Sequence, residues 1–237
     1  MKKNIIIVTG GEGRFASTLK KEKSKYNIHY PDKKKLNILE LHSIEKYLKI
    51  TKPKYLLHLA GLSRPMNVHE RNIQKSIDLN IIGTCNVTKV CASMGIKLIY
   101  FSTNFVYPGI KGQHKETDSV LPFNNYGWSK LGGECAVQMY KNSLILRVCM
   151  TEHPFVHKKA FYDVKNNFLF HEDVARIFFK ILNKKGIINI GGKTEKIYNF
   201  AKKNNPYVKK IYAKKVLGKK YPVNQDMNIV KLNKILK

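Results

Sequence analysis

Tyr126 and Lys130 stand four residues apart in the segment YGWSK. On a helix, that spacing stacks a phenol and an ammonium on one face. A neighbouring ammonium favours the phenolate and so tunes the tyrosine as an acid. Such a tyrosine can give a proton to a substrate oxygen or take one from it. Tyr-x-x-x-Lys is a short pattern, and its force here comes from position. It lies downstream of a glycine cluster and follows a strand, KLIYFS, that ends at Ser102 and Thr103. Ligands of open parallel sheets sit beyond the carboxyl ends of strands, so a hydroxyl there can reach a substrate oxygen. A plain strand-end cap is the alternative role for these two hydroxyls.

The glycine cluster is VTGGEGRFA, residues 8–16. It follows the β-branched run Asn4–Thr9 and opens a helical stretch, which is the context a dinucleotide fingerprint needs. In that motif Gly10 permits the tight turn, Gly13 lets a pyrophosphate approach the backbone, and Ala16 lets the helix lie close to the sheet. Phe15 falls within the same turn of helix. Arg14 adds a charged fork beside the N–H groups of the helix start, which face anions. An ordinary glycine-rich turn is the competing reading. The second strand, Tyr26–Tyr30, runs into Pro31, Asp32 and then Lys33–Lys35. Asp32 suits the ribose hydroxyls of NAD, whereas the lysines and Arg14 suit a 2′-phosphate. The reading leans to NADP, with NAD as the alternative.

The elements that must position these groups follow from periodicity. Strands are predicted at 4–9, 26–30, 36–38, 55–60, 97–102, 143–148 and 187–190. Helices are predicted at 15–21, 41–48, 73–94, 126–140, 171–182 and 194–202. Residues 108–122 read as a polar loop, and the tail from Asn204 as lysine-rich and aperiodic. The alternation predicts an α/β chain: a Rossmann-type, mostly parallel sheet with helices on both faces and a reduced C-terminal substrate lobe. The Rossmann part is expected over 1–150. The lobe is expected over 151–237, with a late Rossmann helix and strand interleaved at about 171–192.

Bulk properties narrow the function classes. The chain has 237 residues, and its 44 Lys plus Arg against 16 Asp plus Glu leave a net charge of +28. Only five of the basic residues are arginines, Arg14, Arg64, Arg71, Arg147 and Arg176, so the excess is lysine. Detailed nucleic-acid reading relies on arginine forks, so a solvated lysine surface is preferred over a nucleic-acid partner. The field would also favour phosphate-bearing ligands. No apolar run reaches 18 residues, so no membrane span is expected. The start, MKKNIIIV, reads as a first strand rather than a secretion signal, and a cytoplasmic setting is expected. Cys85, Cys91, Cys135 and Cys149 show no C-x-x-C spacing and no histidine completes a zinc set. Buried reduced thiols and no metal follow.

At this point the pattern resembles the extended short-chain dehydrogenase/reductase superfamily. Within it, the chain is similar to the dTDP-4-dehydrorhamnose reductase-like, or NAD-dependent epimerase-like, sugar-nucleotide enzymes. The matching pieces, in order, are TGGEGRFA (9–16), HLAG (58–61), Asn80–Thr84, FSTNFVY (101–107), YGWSK (126–130), LILRV (144–148) and FHEDVA (170–175). The resemblance implies that Gly10, Gly13 and Ala16 line the pyrophosphate and that Ala60 and Gly61 pass beside the adenosine and ribose. It places Asn80 on the helix supporting cofactor and active site. Thr103 becomes the hydroxyl of a catalytic triad with Tyr126 and Lys130, and Ser102 its neighbour. The stretch after Arg147 would approach the nucleotide sugar, and His171–Asp173 would frame the substrate lobe. A homodimer is a further expectation from resemblance.

Two departures stand out. Rhamnose-type reductases show S-T-D-Y-V-F where this chain has Asn104 and Phe105, and the segment between Val148 and Phe170 is short. The leading expectation is NAD(P)-dependent reduction of a keto group on a nucleotide-linked sugar. A nucleotide-sugar epimerase is the alternative, and a non-catalytic NAD(P)- or polyanion-binding protein is the alternative of another class.

Overall fold

The computed structural model describes residues 3–237; Met1 and Lys2 lie outside the described residues. Six parallel strands form the central sheet: β1 (Ile5–Thr9), β2 (Asn27–His29), β3 (Tyr55–His58), β4 (Lys97–Thr103), β5 (Ser143–Val148) and β6 (Gly186–Ile190). Their spatial order is β6-β5-β4-β3-β1-β2, with every neighbouring pair parallel. The chain leaves β1 in one direction to make β2 and in the other to make β3. The carboxyl ends of β1 and β3 therefore flank the switch point, where doubly wound sheets open a crevice.

Alternating side chains feed two cores, as a sheet covered on both faces requires. Ile6, Val8, Leu57, Ile99, Leu144, Leu146 and Ile188 pack with α1 (Arg14–Leu19), α5 (His171–Ile181) and α7 (Val230–Leu236). Ile7, Leu56, Leu98, Tyr100 and Ile145 pack on the opposite face with α2 (Leu41–Thr51), α3 (Gly83–Ser93) and α4 (Asn125–Gln138).

Three expectations are corrected. Leu36–Ile38 is not a strand: Leu36 N–H closes a turn on the Asp32 carbonyl at 3.0 Å. Its two apolar side chains, Leu36 and Ile38, fill the core beside α2 instead. The helix expected over 73–94 is divided into Ile73–Ile77, a π-helical turn at Asp78–Ile82, and α3. That turn carries Asn80, whose side chain is fully engaged elsewhere, as described below. The tail from Asn204 is not free of elements: beyond α6 (Ile197–Asn204), where a helix was expected over 194–202, it supplies strand Lys209–Ile211, which pairs in parallel with Lys159–Phe161. It ends in α7, which returns to the sheet face.

The segment 150–170 and the tail thus build a second lobe together. Lys165–Asn166 pairs antiparallel with Glu195–Lys196, and Phe155, Ala160, Ala201 and Val208 form a small separate core. No helix among the described residues is long and apolar enough to cross a membrane.

Candidate active site

The crevice is set by a chain of satisfied hydrogen bonds at the ends of β1 and β3. The Thr9 hydroxyl accepts from the N–H groups of Leu59 and Ala60, each at 3.2 Å, and lies 2.7 Å from His58 Nδ1. With its lone pairs taken, Thr9 donates to Nδ1, which leaves the His58 proton on Nε2, 3.1 Å from the Thr84 hydroxyl. Thr84 in turn donates to the Asn80 carbonyl at 2.8 Å. Burial, with the Lys130 charge nearby, pushes the His58 pKa down to about 3, so this ring stays neutral.

Asn80 locks the next layer. Its amide donates to the Leu62 carbonyl at 2.9 Å and to the Ser129 hydroxyl at 2.8 Å, while its oxygen accepts from Leu62 N–H at 2.7 Å. One side chain therefore ties the loop after β3 to the helix carrying Tyr126 and Lys130. Gly61 faces that oxygen, where an added Cβ would sit 2.7 Å away.

The glycine turn approaches the same loop. Gly10 has φ +70°, and a Cβ on it would meet Ala60 N at 2.7 Å, so only glycine fits. Gly13 N–H closes the turn on the Gly10 carbonyl at 2.9 Å. Phe15 and Ala16 are buried, Phe15 against Phe101 with ring centroids 4.8 Å apart. What these two offer a phosphate is backbone N–H rather than side chain. Beside the turn lies a groove of about 660 Å³ lined by Glu12, Asp32, Lys33, Lys34, Asn37, Glu40 and Ser43. Asp32 uses one carboxylate oxygen to accept from Lys35 N–H at 2.9 Å, and Lys33 and Lys34 are exposed.

Tyr126 opens α4 at the carboxyl edge of the sheet, half-buried. Burial raises its pKa. The Thr103 hydroxyl beside the phenol and the charges of Arg64 and Arg14 pull it back. The sequence pointed to Lys130 for that cationic role. In the structure the Lys130 ammonium sits 4.1 Å from the centroid of the Tyr100 ring. Burial lowers its pKa to about 7 against the pull of Glu134, one turn further along α4. Ser102 is buried with its hydroxyl unpaired. Asn104, the position where an acid was expected from resemblance, spends its amide on Asn166 Oδ1 at 3.2 Å and the Gln225 carbonyl at 3.1 Å.

Sequence reasoning named Arg14 for the glycine turn but missed Arg64 and Glu152, which join it beside this tyrosine. Arg64 Nη1 reaches both oxygens of Glu152, at 2.9 and 3.0 Å, and Arg14 shares the same carboxylate at 3.3 Å. Glu152 is thereby held below the usual carboxylate pKa, although burial opposes it. This cluster joins the glycine turn, the loop after β3 and the second lobe. Deeper in, Glu134 and Arg147 form a buried pair at 2.8 Å.

Comparison with known proteins now has a geometry to meet. The family model described as the RmlD substrate binding domain matches residues 3–161. The chain belongs to that family. It is 30% identical over 141 residues to methionine adenosyltransferase 2 subunit beta from Pongo abelii, a match covering 56% of this chain and 42% of that one. It is 24% identical over 151 residues to dTDP-4-dehydrorhamnose reductase from Aggregatibacter actinomycetemcomitans, covering 62% and 51% respectively. The matched stretch thus spans about half the length of these curated relatives, or less. In fold it is similar to dTDP-4-dehydrorhamnose reductase from Bacillus anthracis str. Ames, solved in complex with NADP. The TM-score is 0.86 at 21% identity, covering 98% of this chain and 92% of that one. Over nearly its whole length, second lobe included, this family member therefore shares the fold of that structure.

Proposed function

We propose that the chain is an NAD(P)-dependent oxidoreductase that reduces a keto group on a nucleotide-linked sugar, with NADP as the preferred cofactor and NAD as the alternative. The observation that carries this reading is the setting of Tyr126. Its phenol lies within the influence of the Thr103 hydroxyl and of the Arg64 and Arg14 charges, at the carboxyl edge of the sheet beside the Gly10–Gly13 turn.

The residues present fit a dinucleotide. The glycine turn leaves no room for side chains, Arg14 stands at the start of α1, and the unpaired Ser102 hydroxyl lies at the end of β4. Gly10, Gly13, Arg14 and the N–H groups of Phe15 and Ala16 would hold the pyrophosphate. Ala60 and Gly61 would flank the adenosine side, and Lys33 and Lys34 would meet a 2′-phosphate. When bound, the cofactor would supply the hydride. Thr103 would orient the substrate carbonyl, and Tyr126 would give its proton to the oxygen as negative charge develops there. Lys130, neutral or charged near pH 7, would hydrogen-bond the cofactor ribose. Asn104 puts an amide, not an acid, beside Thr103, which favours simple reduction over a route needing an acid there. The free cysteines accord with a cytoplasmic setting.

The test is turnover of dTDP-4-dehydrorhamnose with NADPH by the full chain. Tyr126→Phe should lower kcat by about 10²–10⁴-fold. Turnover of the variant equal to wild type would remove Tyr126 from the chemistry.

A second reading draws on the relatives named as a methionine adenosyltransferase subunit. In that reading the chain binds a dinucleotide as a non-catalytic part of a larger assembly. Cofactor binding without turnover across a panel of nucleotide sugars would favour it.

A further inference from the structure

His69 is fully buried, and its imidazole lies against the phenol of Tyr126, with ring centroids 5.1 Å apart and planes at 57°. Phe105 also packs on Tyr126, edge-on with ring centroids 6.0 Å apart. The Ser76 hydroxyl, 2.7 Å from Nδ1, fixes the plane of the imidazole. The main chain is fixed as well. Asn125, immediately before Tyr126, donates its amide to the His69 carbonyl at 3.4 Å and to Glu70 Oε2 at 2.5 Å. The backbone N–H of Asn125 also points to Glu70, at 3.4 Å. Two adjacent residues therefore clip the start of α4 and wall one side of the phenol.

We propose that His69 is a positioning residue of this site, an uncharged ring that sets the rotation of Tyr126 and keeps solvent from one side of its phenol. This rests on Tyr126 acting as the acid. The ring works uncharged because its Nε2 is buried without a hydrogen-bond partner, so a protonated imidazole would bury an unmet N–H. Burial and the Lys130 charge both lower its pKa, and Glu70 alone opposes them. The groups facing Tyr126 itself are Thr103, Arg64 and Arg14, which act equally in wild type and in His69 variants. A misplacement of one ångström at a reacting group can cost about 10²-fold in rate, so holding a phenol in one rotation is a kinetic matter.

The experiment is steady-state kinetics against pH, with dTDP-4-dehydrorhamnose and NADPH, on full-length His69→Leu and His69→Phe. Leucine keeps the bulk but not the flat face, which leaves a gap for water against the phenol; phenylalanine keeps the ring without the nitrogens. For His69→Leu we expect a 10- to 100-fold loss in kcat with KM within about threefold. The alkaline limb should also fall by about half a pH unit, because water now reaches the phenol and its pKa drops toward the ordinary value. His69→Phe, which keeps the flat face but not the Ser76 bond, should recover most of both. A role confined to stability would lower the amount of active enzyme and leave the limb in place. The proposal is overturned if His69→Leu matches wild type in kcat and limb, or if His69→Phe is as impaired as His69→Leu. Tyr126→Phe separates the two levels. If that variant turns over normally, the reading of the site fails; if it is inactive while His69→Leu is normal, only the role of His69 fails.

Discussion

Two guanidinium–carboxylate pairs border the site, and burial gives them different work. Glu134 and Arg147 have side chains 0% and 3% exposed, and Arg147 makes further bonds to the Tyr107 hydroxyl at 2.8 Å and, through it, to Asn189 at 2.9 Å. Each charge there is fully met by groups from α4, β5, β6 and the loop after β4. Arg64 and Glu152 are 32% and 18% exposed, and their carboxylate is shared with Arg14. The first pair cannot rearrange without leaving a bare charge in a low-dielectric interior. The second lies where solvent and ligand can compete for it. The same two chemical groups thus form a fixed strut in one place and an adjustable field in the other.

The sharpest way to break this comparison is to remove one partner of the buried pair. Arg147→Met should lower stability by about 3–5 kcal/mol, because Glu134 is left charged and unpaired. For a chain of this size that is a fall in Tm of roughly 6–20 °C by thermal denaturation. Arg64→Gln should change stability by no more than about 1 kcal/mol. Equal losses in the two variants would show that both pairs are struts.

A second prediction concerns Lys130, which Glu134 supports from one turn away. Its folded pKa is lowered to about 7 from 10.5, first by burial. Between those values the unfolded chain binds a proton that the folded chain refuses. Stability must therefore rise with pH across that window and be lost as pH falls through it. From pH 7 to 9 the gain is roughly 2 kcal/mol. Lys97, lowered to about 8 by burial, adds a contribution of the same sign. In Lys130→Met the rise should shrink by about 2 kcal/mol. An unchanged slope would mean Lys130 is solvated as an ordinary lysine.

What the sequence showed and what it hid divide along the same physical line. The β-branched run at Asn4–Thr9, the glycines after it and the Tyr126–Lys130 spacing are local patterns, and they placed β1, α1 and α4 correctly. Leu36 and Ile38 misled because two buried apolar residues look the same in a strand and in a turn packed on a helix. The tail misled because the strand that pairs with 159–161 is Lys-Lys-Ile, which carries almost no hydrophobic signal. Arg64 and Glu152 are 88 residues apart, and Glu134 and Arg147 meet only through the pairing of α4 with β5. Charges at such separations leave no periodic trace, so the part of Arg64 and Glu152 in the surroundings of Tyr126 emerged only from the fold. Lys130 shows the converse: spacing set it one helical turn from Tyr126, but did not show that its ammonium would meet the Tyr100 ring.

The smallest predicted effect tests the adjustable field directly. In reduction Tyr126 must be protonated, so activity declines as pH rises through its pKa. Burial raises that pKa, and Arg64 and Arg14 hold it down. Arg64→Gln removes one of those charges, so the alkaline limb of kcat should move to higher pH, by about half a unit. Glu152→Gln removes the carboxylate that offsets both arginines, so the limb should move by a similar amount to lower pH. The opposite signs matter more than the sizes, since a loosened lobe would move both variants the same way. Because the pair is part-exposed, both shifts should shrink as salt is raised from 0.05 to 0.5 M, an expected screening effect of roughly twofold or more. Shifts of one sign, or shifts indifferent to salt, would place Arg64 and Glu152 with the buried pair as scaffold.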